Sequence, residues 1–257
     1  DSKYFPVTPY RRLDTRTGTM PGDESTQCLQ VAGQDGIPAT ATAVAVNLVS
    51  LESTSRGFMT VYPGGSPVPE TSTTNYAAGQ TIANGALVEV GSGGEVCVFV
   101  KSSSHVILDV FGYFDANSAY VPLTPFRGLD TREGAQPAAG STRCLPIIGQ
   151  GSVPATAKAV AINVTAVNAA EVGFLTLYPE GQPRPDTSTL NYPAGATIAN
   201  NAIVQPGANG EVCFYTHGST HFLVDVVGYF QQSILGDPCA GVICGSPPGP
   251  TCVGGTT

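Results

Sequence analysis

The chain contains no tryptophan, two methionines, and only 11 lysines and arginines in 257 residues. Each scarcity excludes something. Without tryptophan, the domains cannot be of the antibody type, which pack round a buried Trp. The few basic residues are scattered and the formal net charge is −8. That excludes the clustered Lys and Arg of a nucleic-acid binder. No apolar run approaches the ~18 residues that a membrane-crossing helix needs. No signal peptide opens the chain at Asp1, which reads as an already processed polypeptide.

Reactive signatures are missing as well. There is no Gly-x-Ser-x-Gly, no His-Glu-x-x-His and no phosphate loop. The expectation is a protein that is not an enzyme and holds no cofactor. His217 and His221 lie four apart, a spacing that shares a face only on a helix, and their flanks read as strand. No metal site is expected there. Charged residues make up 12% of the chain, so Thr, Ser and Gly must cover much of the surface. A hydrophobic fraction of 42% in strand-length runs nevertheless argues for folded cores.

What is present is a domain written twice. Ser103–Phe114 returns 116 residues later as Ser219–Phe230, each an apolar run with one Asp in the middle and Gly-Tyr-Phe at the end. Such a run reads as a strand buried on both faces. At the same offset Tyr4–Phe114 overlays Tyr120–Phe230 without gaps, with about half the positions identical. The expected domains are 1–116 and 117–232, followed by a Cys/Gly/Pro-rich tail over 233–257. Within each copy, Ala43–Leu51, Gly57–Pro63, Ile82–Val90 and Glu95–Val100 read as short strands between Gly, Pro and Asn turns. The opening Tyr-x-Pro-x-Thr-Pro reads as an extended edge segment, because two prolines in four residues exclude helix. The fold class is all-β, two tandem homologous β-sandwich domains.

Four of the seven cysteines obey the repeat. Cys28 and Cys97, like Cys144 and Cys213, are 69 residues apart. One disulfide per domain follows; no CxxC pair or neighbouring His supports zinc instead. Disulfides of this kind place the chain outside the cytoplasm, extracellular or on a cell surface. Cys239, Cys244 and Cys252 in the tail allow one internal bond and leave one thiol over.

The combined motifs Pro-x-Arg-x-x-Asp-Thr-Arg, Gly-Phe-x-Thr-x-Tyr-Pro, Asn-Tyr, Thr-Ile-Ala-Asn and Asp-Val-x-Gly-Tyr-Phe resemble a tandem repeat of secreted actinobacterial and myxobacterial surface proteins. The resemblance implies an exported accessory or surface role and no particular activity. Cys-Ala-Gly-Val-x-Cys followed by a third Cys is similar to short cysteine-rich units of myxobacterial surface proteins, which continue to a fourth Cys.

Asp109 and Asp225 sit among apolar neighbours, and an isolated buried carboxylate is costly. Arg11, Asp14 and Arg16, with their counterparts Arg127, Asp130 and Arg132, recur with them. Arg can bridge a carboxylate through two parallel hydrogen bonds. These eight residues are expected to form a structural polar staple in each domain. Tyr76 with Asn75, and Tyr192 with Asn191, are candidate glycan-binding pairs, because Tyr offers a flat apolar face and a polar tip; the rival reading is that these rings close the core beneath loops. The functional expectation is a subunit of a cell-surface fibre or coat, assembled by self-association of two-domain rods. The alternative is a carbohydrate-binding or adhesive accessory module.

Overall fold

The computed structural model describes residues 3–231; the three tail cysteines lie outside them. Sixteen strands are present among the described residues, eight per repeat. In the first repeat they are β1 (Phe5–Asp14), β2 (Ser25–Gln30), β3 (Ala41–Leu51), β4 (Gly57–Pro63), β5 (Thr74–Tyr76), β6 (Ile82–Glu89), β7 (Glu95–Val100) and β8 (His105–Asp115). The second repeats them as β9 (Tyr120–Asp130), β10 (Ser141–Pro146), β11 (Ala157–Val167), β12 (Gly173–Pro179), β13 (Leu190–Tyr192), β14 (Ile198–Val204), β15 (Glu211–Thr216) and β16 (His221–Gln231).

Each repeat forms two antiparallel four-stranded sheets. The orders are β1-β8-β3-β6 and β2-β7-β4-β5, repeated as β9-β16-β11-β14 and β10-β15-β12-β13. This interleaving is the strand order of an eight-stranded jelly roll, a double-sheet β-sandwich. Proline-bearing β1 and β9 lie on sheet edges, where a missing N–H breaks no central ladder. The core of the first domain is formed by inward residues such as Val44, Val46, Leu48, Val96, Val98 and Leu108. Ile162, Val164, Val212, Phe214, Phe222 and Val224 are among those of the second.

Cys28 faces Cys97 across β2 and β7, and Cys144 faces Cys213 across β10 and β15. Both pairs are bonded, with Cα atoms 3.9 Å apart. Each bond clips an exposed polar edge strand to the strand beside it.

The Gly-Tyr-Phe ending has a steric explanation. A Cβ on Gly112 or Gly228 would strike the ring of Tyr4 or Tyr120, which lies over it. Just before that glycine, Phe111 and Val227 are skipped in the pairing, so each strand bulges at its centre. The bulge turns those side chains toward the outer face of the sheet.

Candidate functional site

The recurrent Arg-x-x-Asp-Thr-Arg segment ends the first strand of each domain and starts a single 3-10 turn. Asp14 caps that turn, accepting from the Arg16 backbone N–H at 3.1 Å and from Arg16 Nε at 2.9 Å. Thr15 is buried; its hydroxyl accepts from the Val106 N–H at 2.8 Å and lies 3.0 Å from His105 Nδ1. Asp130, Arg132, Thr131 and His221 repeat these contacts. Asp14 and Asp130 are thereby held below the usual carboxylate range, chiefly by the side-chain hydrogen bond from the neighbouring arginine. The two histidines are thus engaged by threonines, while His217 stacks on Phe174 at 4.6 Å.

The central carboxylates pair with the first arginine of the segment. Arg11 donates to Asp109 through Nε at 2.8 Å and Nη2 at 3.2 Å. Arg127 donates to Asp225 through the same atoms at 2.6 and 3.3 Å. Arg16 and Arg132 stay on their own turn and do not reach these carboxylates.

The two copies differ in what covers this pair. The Asp225 side chain is 1% exposed and that of Asp109 is 21% exposed. The expectation that both carboxylates are buried therefore fails for Asp109, and so does the expectation that Ser103–Phe114 is buried on both faces. In the first domain the outer face of the β1-β8-β3-β6 sheet is open: Arg11 and Phe111 are exposed, and Asn47 is half-buried. β3 accordingly alternates in burial along much of its length, whereas its counterpart β11 is buried continuously from Val160 to Val167.

The cover is the first domain itself. Its loop 70–75 and the edge strand β6 lie on the outer face of the second domain's β9-β16-β11-β14 sheet. The Ser72 N–H donates to Asp225 Oδ2 at 3.4 Å, and Arg127 Nη2 donates to the Glu70 carbonyl at 2.8 Å. Asn163 Nδ2 donates to the Ser72 carbonyl, and Asn84 Nδ2 donates to Asn163 Oδ1 at 3.0 Å. The Asn201 N–H donates to Asn84 Oδ1 at 3.3 Å. At the rim Arg56 Nη2 donates to Asn168 Oδ1 at 2.9 Å and Thr197 Oγ1 at 3.2 Å. Beside this polar set lies a small apolar cluster of Ala43, Phe114, Tyr120 and Ala161, flanked by Leu87, Val227 and Phe230. The two jelly rolls thus meet through a largely buried, hydrogen-bonded junction.

Burial at this junction pushes the Asp225 carboxyl up, against the hydrogen bonds from Arg127 that oppose the shift. Glu89, half-buried at the end of β6, is pushed up by burial as well.

Tyr76 and Tyr192 serve the cores rather than an open cleft, while Asn191, beside Tyr192, is exposed. Both tyrosine rings are buried in the cores, with hydroxyls on the Ser102 carbonyl at 2.5 Å and the Gly218 carbonyl at 2.6 Å. Desolvation pushes both phenols up to about 12. Neither ring has a free face. Asn75 and Asn191 brace the loop through Ser72 Oγ at 3.0 Å and Ser188 Oγ at 3.1 Å. A groove of about 440 Å³ does open at the junction, lined in part by Asn75 together with Arg56, Lys101, Arg127, Arg132 and Glu70.

Asn47, Asn84, Asn163 and the Thr-Ser-Thr loop were not assigned to a domain junction by sequence reasoning. The available signal was an Asn in the middle of an apolar strand, at the same place in both copies.

No family model matches the chain, and no curated protein matches it. Among solved structures, a chain from the atomic structure of Sulfolobus Turreted Icosahedral Virus aligns over 88% of this chain and 91% of that one, at 7% identity and a TM-score of 0.35. A likeness so distant carries no argument about role. Among the described residues, no helix is long and apolar enough to cross a membrane.

Proposed function

We propose that the chain is a non-enzymatic structural protein of the cell exterior, a self-associating subunit of a surface fibre or coat. The observation that carries this reading is the junction. The most buried charged pair, Arg127–Asp225, and the asparagines that recur at strand centres hold one folded domain on another. Buried polar groups that fix one docking geometry suit a building block, in which orientation must be set. The two cross-strand disulfides support an oxidising compartment. Sedimentation velocity over a concentration series, with electron microscopy of the fastest fraction, tests the reading. The expected result is a concentration-dependent shift to large species; a monomer at every concentration refutes it.

One observation favours a second reading, an adhesive module for acidic glycans. Four of the chain's eleven basic residues line the junction groove of an otherwise acidic protein. A uronate polymer that binds, and no longer binds the Arg56→Ala variant, would favour that reading over the first.

A further inference from the structure

The junction within the chain is heterologous: a loop and strand edge of one domain meet the sheet face of the next. Because the domains are copies, each also carries a second half that the described residues leave unused. The second domain has the loop 186–191 and the edge of β14. The first has the sheet face with Arg11, Asp109 and Asn47.

Both unused halves are already in their docked shape. In the first domain, loop 70–75 is held by Thr60 Oγ1 on the Thr71 carbonyl at 2.5 Å, the Val61 N–H on Thr73 Oγ1 at 3.0 Å and Asn84 Nδ2 on the Thr73 carbonyl at 2.7 Å. The free loop repeats this with Thr176 on the Thr187 carbonyl at 2.5 Å, the Leu177 N–H on Thr189 Oγ1 at 3.1 Å and Asn200 Nδ2 on the Thr189 carbonyl at 2.7 Å. On the receiving face, the Arg11–Asp109 fork matches the Arg127–Asp225 fork atom for atom. Surfaces preformed in this way lose little conformational freedom on binding.

The chemistry is retained where the domains touch. Ser188 stands for Ser72, Asn200 for Asn84 and Asn47 for Asn163, while the donors and acceptors at 70, 72 and 201 are backbone groups. Yet Thr187, Ser188 and Asn200 are exposed, whereas Thr71, Ser72 and Asn84 are buried. The apolar residues follow the same rule. Among the described residues, the exposed large hydrophobics include Tyr4, Phe111 and Ile203. Of their counterparts, Tyr120 belongs to the apolar cluster of the junction and Val227 and Leu87 pack against it. Tyr4 is 42% exposed and Tyr120 is 2% exposed. The rim alone has no counterpart: Val172 replaces Arg56 and Glu52 replaces Asn168, so its hydrogen bond is missing.

We infer that loop 186–191 of one chain docks on the Arg11–Asp109–Asn47 face of a second copy, repeating between chains the contact that joins the two domains within one. The inference rests on the structural reading above and names its interface. A heterologous contact of this kind propagates: it closes into a ring if the rotation allows and otherwise runs on as a filament. It is weaker than the junction within the chain, which has the rim bond and the benefit of a covalent connection.

Two blocking variants test it, each confined to an open surface. Ser188→Arg spoils the loop and leaves the face; Asn47→Arg spoils the face and leaves the loop. Each alone should weaken self-association at least about 30-fold, as expected for a residue at the centre of an interface. Mixed in equal amounts, they should form one-to-one dimers and nothing larger, because only one loop and one face remain usable. Val68→Arg, at an exposed position outside the junction, should assemble as wild type. Circular dichroism confirms that the variants are folded; if Asn47→Arg is not, Ser188→Arg against Val68→Arg carries the test. If wild type stays monomeric from micromolar to millimolar concentration, the structural reading and this interface both fall. If wild type assembles and Ser188→Arg assembles equally well, or if the two folded variants mixed give no dimer, the interface alone is wrong.

Discussion

Replacing Asp225 with Ala probes the junction from its centre, and the matching change at Asp109 supplies the internal control. The Asp225 carboxylate is buried, and the Arg127 side chain beside it is 22% exposed. Without Asp225, Arg127 keeps Asp130 at 3.6 Å and the Glu70 carbonyl, neither of which replaces a bidentate partner. Breaking a buried pair from one side costs about 3–5 kcal/mol. Because Arg127 keeps those two neighbours, the lower end applies, about 3 kcal/mol. For a domain of this length that is a fall in melting temperature of roughly 10 °C. Asp109→Ala removes a carboxylate from the open side of a sheet, beside an exposed arginine, where solvent takes its place. Scanning calorimetry on dilute protein should therefore show a large loss for Asp225→Ala and a melt close to wild type for Asp109→Ala. Equal losses, or none for Asp225→Ala, would refute the claim that the first domain's cover makes the difference.

Other outcomes follow from the same geometry. Reducing Cys144–Cys213, or replacing both with Ser, should destabilise the second domain by about 4 kcal/mol on the loop-entropy account. Peptide mapping without reduction should find that bond and Cys28–Cys97, with none crossing between domains. Asn163→Ala strands the buried Ser72 carbonyl and Asn84 without a partner, at about 1–3 kcal/mol; denaturant melts measure the change. Gly228→Ala drives a methyl into the Tyr120 ring and should cost about 1–3 kcal/mol. The pH dependence has two opposed arms. Asp225 is raised above 3.8 on folding, so its contribution is greatest below 3.8 and is lost as pH rises through the folded value. Asp130 is lowered, so its contribution is present above 3.8 and is lost as pH falls through its folded value. Stability should thus rise gently as pH drops from neutrality toward the Asp225 titration and fall below about 3.8, which thermal melts across pH measure.

Much of the sandwich is legible in the residues because its central strands alternate or run apolar for strand length, and turns punctuate them. Two strands per domain escape that reading for a physical reason. β2 and β10 are polar edge strands with many exposed side chains, and β5 and β13 are three-residue edges that follow the Thr-Ser-Thr loop. Neither carries a period to detect. The arginine–aspartate fork is foreshadowed by the joint recurrence of its members, but its two environments are not. Arg11–Asp109 and Arg127–Asp225 are the same residues at the same spacing; only the packing of one domain on the other buries Asp225. Tyr76 and Tyr192 are ambiguous in the sequence, either a binding surface or rings that close the core beneath loops, and the fold turns them inward.

Electron microscopy of the assembled wild-type chain tests the central claim most directly. The contact between chains should superpose on the contact between the two domains of one chain, so that successive domain junctions are equivalent around a ring or along a filament. Isolated two-domain particles, or assemblies joined through any other surface with loop 186–191 left free, would contradict it.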